Sequence, residues 1–249
     1  MVQEVIAEQA NTAIAPKIDW EVLTIPGEPV APALQENGDV HGAQDNLAEA
    51  LETLQEKVTI AAQLAEADPH NADLQRDLAV YYNKVGEVLV AQGDLGEALS
   101  YFRDGLAISG SLAEANPDHS DLQASWATSY GSIALVLVEQ GDAAGALDAF
   151  QHARQIVVRI KSLSPDAAPI YALFEAAIIK LEVALNLTQK HEKAGAVTAF
   201  QQAREIIVKL REQSPNDETL LALFDAAITK REKALATDPG VVKPAHLDQ

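Results

Sequence analysis

The chain has 249 residues, 48% of them hydrophobic and 5% aromatic, with one Met and no Cys. That is enough for one or two domains with a buried core, and it excludes disulfide frameworks, cysteine zinc sites, iron–sulfur clusters and thiol catalysis. Basic side chains number 18 against 37 acidic ones, and the net charge of −19 gives a surface that repels nucleic acid and anionic lipid.

No apolar run approaches the roughly 20 residues that a membrane span needs. The opening MVQEVIAEQANTAIAPK lacks the basic stretch and apolar stretch of a secretory signal, so a cytoplasmic protein is expected. Charge is unevenly placed: residues 1–149 hold 25 acidic and 5 basic side chains, residues 150–249 hold 12 and 13. This reads either as plain solubility or as two halves that face different partners.

Residues 1–45 come first and read as an extended arm. Pro16, Pro26, Pro29 and Pro32, with Gly27, Gly38 and Gly42, are expected to preclude a long helix there. Yet KIDWEVLTIPGEPV (17–30) contains Ile18, Trp20, Val22, Leu23 and Ile25, more apolar matter than a plain linker holds. Two readings stay open: a disordered arm or junction, or an anchor that docks in the chain's own groove or on a partner subunit.

From residue 46 the sequence repeats with a period of 48. Pro69 pairs with Pro117, Leu74 with Leu122, Gln75 with Gln123, Gly93 with Gly141, Asp94 with Asp142, and Phe102 with Phe150. A third unit starts at Pro165 and gains two residues, so AFQHAR (149–154) aligns with AFQQAR (199–204). A last half-unit repeats at 50, matching 164–185 with 214–235. The expected organisation is a half-repeat 46–66, repeats 67–114, 115–162 and 163–212, a capping helix 213–236, and a tail 237–249.

Each unit reads as two helices. Leu74, Leu78, Tyr81, Tyr82, Val85 and Leu89 recur at intervals of 3 and 4 along the first, as do Leu95, Ala98, Leu99, Phe102 and Leu106 along the second. Gly93-Asp94 ends one helix and caps the next, while Asp68-Pro69, Asn116-Pro117, Ser164-Pro165 and Ser214-Pro215 break the chain between units. Helices are expected near 46–66, 71–92, 94–114, 119–140, 142–162, 168–189, 193–213 and 216–236.

The pattern Tyr82, Val85-Gly86, Leu89, Gly93, Ala98, Phe102, Gly105 resembles the tetratricopeptide repeat. The next unit gives Tyr130, Ile133-Ala134, Leu137, Gly141, Ala146, Phe150, Ala153, and the third Ile178, Leu181-Glu182, Leu185, Ala196, Phe200, Ala203. Two departures stand out: a period of 48 in place of the usual 34, and a third unit with Glu182 at a small-residue position and no Gly-Asp turn.

The resemblance implies an all-α, right-handed α-solenoid of antiparallel helix pairs, about eight helices, with a concave side lined by first helices. It implies a protein-binding scaffold that holds a peptide or helix in that groove. By the same analogy the lining positions are Asn83, Glu87 and Val90, then Gly131, Leu135 and Val138, then Ile179, Val183 and Asn186. These are apolar enough to face an amphipathic helix or an extended Pro-rich strand. Equally, they can pack on the lengthened helices of the same chain.

A basic recurrence places Arg154, Arg159 and Lys161 on one second helix and Arg204, Lys209 and Arg211 on the next. Cations near helix C-termini are favourable in themselves. The alternative is a convex docking strip, Arg154, Arg159, Arg204 and Lys209, for an acidic partner or the acidic half of another copy. The six histidines show no metal-ligand spacing, His70 and His119 being near-equivalent turn residues, and no hydrolase, phosphate-binding or calcium motif occurs. No catalytic residue, metal or cofactor is expected. The favoured function is a non-catalytic adaptor. The alternatives are a stoichiometric structural subunit anchored by its arm in a larger complex, and a regulatory region of a longer chain.

Overall fold

A computed structural model describes residues 40–213 and 218–237, which form eight α-helices and one short 3₁₀ turn among the described residues. They are α1 (Val40–Ala67), α2 (Ala72–Gln92), α3 (Leu95–Ala115), α4 (Ser120–Gln140), α5 (Ala143–Leu163), α6 (Ala168–Gln189), α7 (Lys193–Gln213) and α8 (Glu218–Thr237), with the 3₁₀ turn at Pro165–Ala167. Each helix packs on the next along the chain, and short turns make neighbours antiparallel. The first-type helices α2, α4 and α6 run one way and the second-type helices α1, α3, α5 and α7 the other.

Local chemistry explains the boundaries. Asn71 caps α2, its Oδ1 accepting from the Asp73 and Leu74 amides at 3.1 and 3.3 Å. Gly93 and Gly141 end α2 and α4 at φ +90°, and the following Asp94 and Asp142 amides donate back to Leu89 and Leu137 carbonyls. A side chain meets strain in that conformation, which is why glycine stands in both turns. In the third unit His191 takes the left-handed position at φ +61°, and Glu192 N–H donates to the Leu187 carbonyl at 2.9 Å. The turn is therefore kept without its glycine.

The two extra residues of the third unit are also located. α6 has 22 residues where α2 and α4 have 21, and the α6–α7 turn is one residue longer than its counterparts. Phe102, Phe150 and Phe200 are fully buried, as are Ala98, Ala146 and Ala196. A Cβ on Gly86 would lie 2.7 Å from the Phe102 ring, so that position must stay small for the phenyl to seat.

One expectation about the arm is corrected. α1 begins at Val40, so Gly42 lies inside a helix and the expected arm loses its last six residues. A helical glycine costs about 1 kcal/mol, less than α1 gains by burying Leu47, Leu54, Ala61 and Ala65. Residues 1–39 and 238–249 lie outside the described residues.

The last helix departs from a simple stack. α8 follows α7 and packs on it, but its other neighbour is α4, two units back, and not α6. Leu221, Leu223, Phe224, Ala227 and Ile228 of α8 are buried in one core with Leu135, Val136, Leu137 and Val138 of α4. As a result α4 is buried along nearly its whole circumference.

Candidate partner-binding surface

The nine groove positions divide into three groups. On α2, Asn83 is buried, and its Nδ2 donates to Ser129 Oγ of α4 at 3.2 Å. Ser129 in turn shares a 3.2 Å hydrogen bond with Ser109 of α3, so the three hydroxyl and amide groups pin α2, α3 and α4 together. Asn83 is thus a packing residue, held in by the space that Gly105 leaves: a Cβ there would lie 2.9 Å from Asn83 Oδ1. Glu87 and Val90 are half-buried. Burial pushes the Glu87 carboxyl up to about 7, against the opposing charge of Lys84.

On α4, Gly131, Leu135 and Val138 are all buried. The region is closed by α8, whose Lys230 Nζ donates to Glu139 Oε2 at 2.8 Å and whose Arg231 Nη2 would lie 3.5 Å from a Cβ on Gly141. Leu135 and Val138 are therefore not open to a partner in this arrangement, which realises the packing alternative for these residues. Gly131 lines a cavity of about 200 Å³ between α4, α5 and α6, walled by Tyr171, Phe174 and Ile178 and by Phe224 of α8.

On α6, Ile179, Val183 and Asn186 are exposed. Ile179 is 36% and Val183 43% accessible, an apolar pair one turn apart on one helix face. Asn186 Nδ2 bonds only its own helix, donating to the Glu182 carbonyl at 2.8 Å. Since α8 packs on α4, these positions are left uncovered.

The basic strip is largely spoken for. Arg154 Nε of α5 lies 3.3 Å from Glu182 Oε1 of α6, and Lys161 Nζ lies 2.7 Å from Glu175 Oε2. Fifty residues on, Arg204 of α7 meets Glu232 of α8 at 2.8 Å and Arg211 meets Asp225 at 3.0 Å. Glu182, out of place as a small residue, is thus the partner of Arg154. Burial raises its pKa while Arg154 opposes the rise. Arg154 and Arg204 join successive units within the chain and are not a free docking strip; Arg159 and Lys209 are exposed. The acids recur at the same interval of 50 as the bases, a signal present in the sequence and missed when the bases alone were aligned.

No cluster of three or more potential metal ligands occurs among the described residues. His70 and His119 are exposed, and His152 stacks on Tyr130 with centroids 4.9 Å apart. No helix among the described residues is long and apolar enough to cross a membrane. The arm anchor, Ile18, Trp20, Val22, Leu23 and Ile25, lies outside the described residues.

Helix pairs that repeat at 48–50 residues, each closed by a buried Phe and stacked on the next, define the class: an all-α repeat solenoid. Residues 78–121 and 126–160 match the tetratricopeptide repeat family over two repeats, and the helical repeats of the described residues are consistent with a tetratricopeptide-repeat protein. No curated protein matches it. Tetratricopeptide repeats in general mediate protein–protein interaction and are typically non-catalytic.

Proposed function

We propose that this protein is a non-catalytic scaffold that seats a helical or extended segment of a partner protein on the exposed faces of its first-type helices, chiefly α6. One observation carries the reading. On α4, the positions Gly131, Leu135 and Val138 lie under an amphipathic helix, the chain's own α8. The equivalent positions on α6, Ile179, Val183 and Asn186, carry the same apolar-to-mixed chemistry and stand open. α8 itself has Thr229 and Lys233 where α6 has Ile179 and Val183, the polar outer face of a terminal cap. An apolar pair kept on the inner helix and replaced on the cap supports a docking role for α6.

The test is capture from the source cells with immobilised full-length chain, quantified by mass spectrometry, against Ile179→Lys/Val183→Lys. Both positions are exposed, so the variant keeps its fold. Partners lost from the variant support the reading; a partner set unchanged by the double substitution overturns it.

A further inference from the structure

We propose that the cavity beside Gly131 is a binding site for a small, neutral aromatic molecule of one or two rings, separate from the exposed face of α6. Gly131 itself is the first observation. At the buried helical glycines Gly86, Gly105 and Gly110, an added Cβ would lie 2.7, 2.9 and 3.0 Å from a neighbouring side chain, so close packing keeps those positions small. At Gly131 a Cβ would meet nothing within 4 Å, and the residue sits in the middle of helix α4. Glycine is unfavourable inside a helix. Neither a turn nor a close approach accounts for it here; what it provides is room.

The preceding layer of the solenoid fills the matching place. Between α2, α3 and α4 stands Asn83, which donates to Ser129, and Ser129 shares a hydrogen bond with Ser109. One period of 48 further on, the counterparts of Asn83, Ser109 and Ser129 are Gly131, Val157 and Ala177. All three polar groups of the bridge are replaced together, and the side chain that spanned the layer is removed. The result is a wall that is apolar and recessed at the same point.

The walls choose the occupant. Tyr171 and Phe174 of α6, their ring centroids 6.5 Å apart and their planes 37° apart, form one side, and Phe224 of α8 adds a third ring. Val157 and Ile178 also line the cavity, Thr128 and Tyr171 bring hydroxyls, and no lining residue is charged. An ion would lose its hydration there without a counter-charge, so the ligand is neutral. Tilted and offset contacts with aromatic rings favour a flat ring over a branched alkane. An apolar cavity of about 150 Å³ takes benzene, so a cavity of about 200 Å³ admits one ring or two fused rings and excludes a long alkyl chain.

The test is a titration of methyl-labelled full-length protein with benzene, indole and dodecanol, followed by NMR. Benzene and indole should shift the methyl signals of Val157, Ile170 and Ile178 saturably and leave those of the distant, exposed Ile60 and Val208 in place. At ten times Kd the folded-to-unfolded ratio in a denaturant series should rise about tenfold. Gly131→Val and Val157→Phe each put a side chain into the cavity by a different route, and each should abolish binding in a chain whose methyl spectrum shows it folded. Ile179→Lys/Val183→Lys should bind indole as the parent does. No saturable shift at millimolar benzene or indole, binding that survives both filling substitutions, or binding lost in the α6 surface variant would each overturn the site. Dodecanol bound as tightly as indole would overturn it in favour of an open apolar surface. If the free rings fail to bind while Gly131→Val removes a protein captured by the immobilised chain, the cavity holds a partner's side chain; the small-molecule assignment is then overturned and the scaffold reading stands.

Discussion

Arg204 of α7 grips Glu232 of α8 at 2.8 Å, fifty residues beyond the contact of Arg154 with Glu182. The second pair of the set follows the same interval, Lys161 with Glu175 and Arg211 with Asp225. In the earlier units the positions matching Arg154 and Lys161 are Leu106 and Ala113, and those matching Glu182 and Glu175 are Ala134 and Ala127. The chain thus joins its first units through apolar side chains and its last through ion pairs. This also accounts for the near-neutral balance of residues 150–249: their cations have acids to meet.

Arg204→Ala should loosen α8. The side chain is one-third accessible and makes two carboxylate contacts, so the loss expected is about 1 kcal/mol, reduced by salt. A double-mutant cycle with Glu232→Ala should return a coupling of about 0.5–1 kcal/mol. Additive single effects would mean that the pair contributes nothing.

Phe224→Ala should cost about 3–4 kcal/mol, since it removes a buried ring that also walls the cavity beside Gly131. With α8 weakened, the face of α4 bearing Leu135 and Val138 opens, and a dye that reports exposed apolar surface should bind. Ile179→Thr/Val183→Lys, which touches only exposed positions, should shift stability by less than about 0.5 kcal/mol in the same denaturant series.

Glu87 sets a pH dependence. Its carboxyl is pushed up to about 7 in the folded chain from an ordinary 4.5, chiefly by burial. Between those values the folded chain holds a proton that the unfolded chain has lost. Stability therefore falls as pH rises from about 4.5 to about 7 and levels above that. Glu87→Gln should remove this slope, leaving stability at pH 4 unchanged and raising it at pH 8 by about 1–2 kcal/mol, a figure reduced for the side chain's partial exposure. A variant that keeps the wild-type slope would assign it to another group.

His191 holds a left-handed turn at φ +61° that Gly93 and Gly141 hold at φ +90°. His191→Gly should stabilise by about 0.5–1 kcal/mol in thermal unfolding, and Gly141→Ala should destabilise by about 1–2 kcal/mol. Opposite signs at matched positions are the diagnostic result.

The solenoid was legible because packing repeats. Phe102, Phe150 and Phe200 fall at fixed intervals, Gly93-Asp94 and Gly141-Asp142 mark the turns, and every expected helix from 71 to 213 lies within one residue of its observed ends. The start of α1 was not, because one glycine and nearby prolines weigh against a helix locally while buried leucines decide it. Among the expected groove positions, Ile179, Val183 and Asn186 are exposed, whereas Asn83, Leu135 and Val138 are buried for reasons that period alone does not carry. A repeat reports contacts between nearest neighbours, whereas α8 on α4 joins residues about ninety positions apart. The trace it leaves is subtle: Thr229, Arg231 and Lys233 replace Ile179, Leu181 and Val183 on an otherwise matching helix.

The clasp of α8 on α4 changes how the array melts. A chain of units that touch only in sequence frays from either end, each unit leaving when its single interface fails. Here α4 through α8 close a ring of contacts, so no member can leave without opening two interfaces. Unfolding of residues 120–237 becomes one concerted event, and slow amide exchange should be shared across that block. Among the described residues α1 packs chiefly on α2, and its amides should exchange first, by opening motions that never reach the rest.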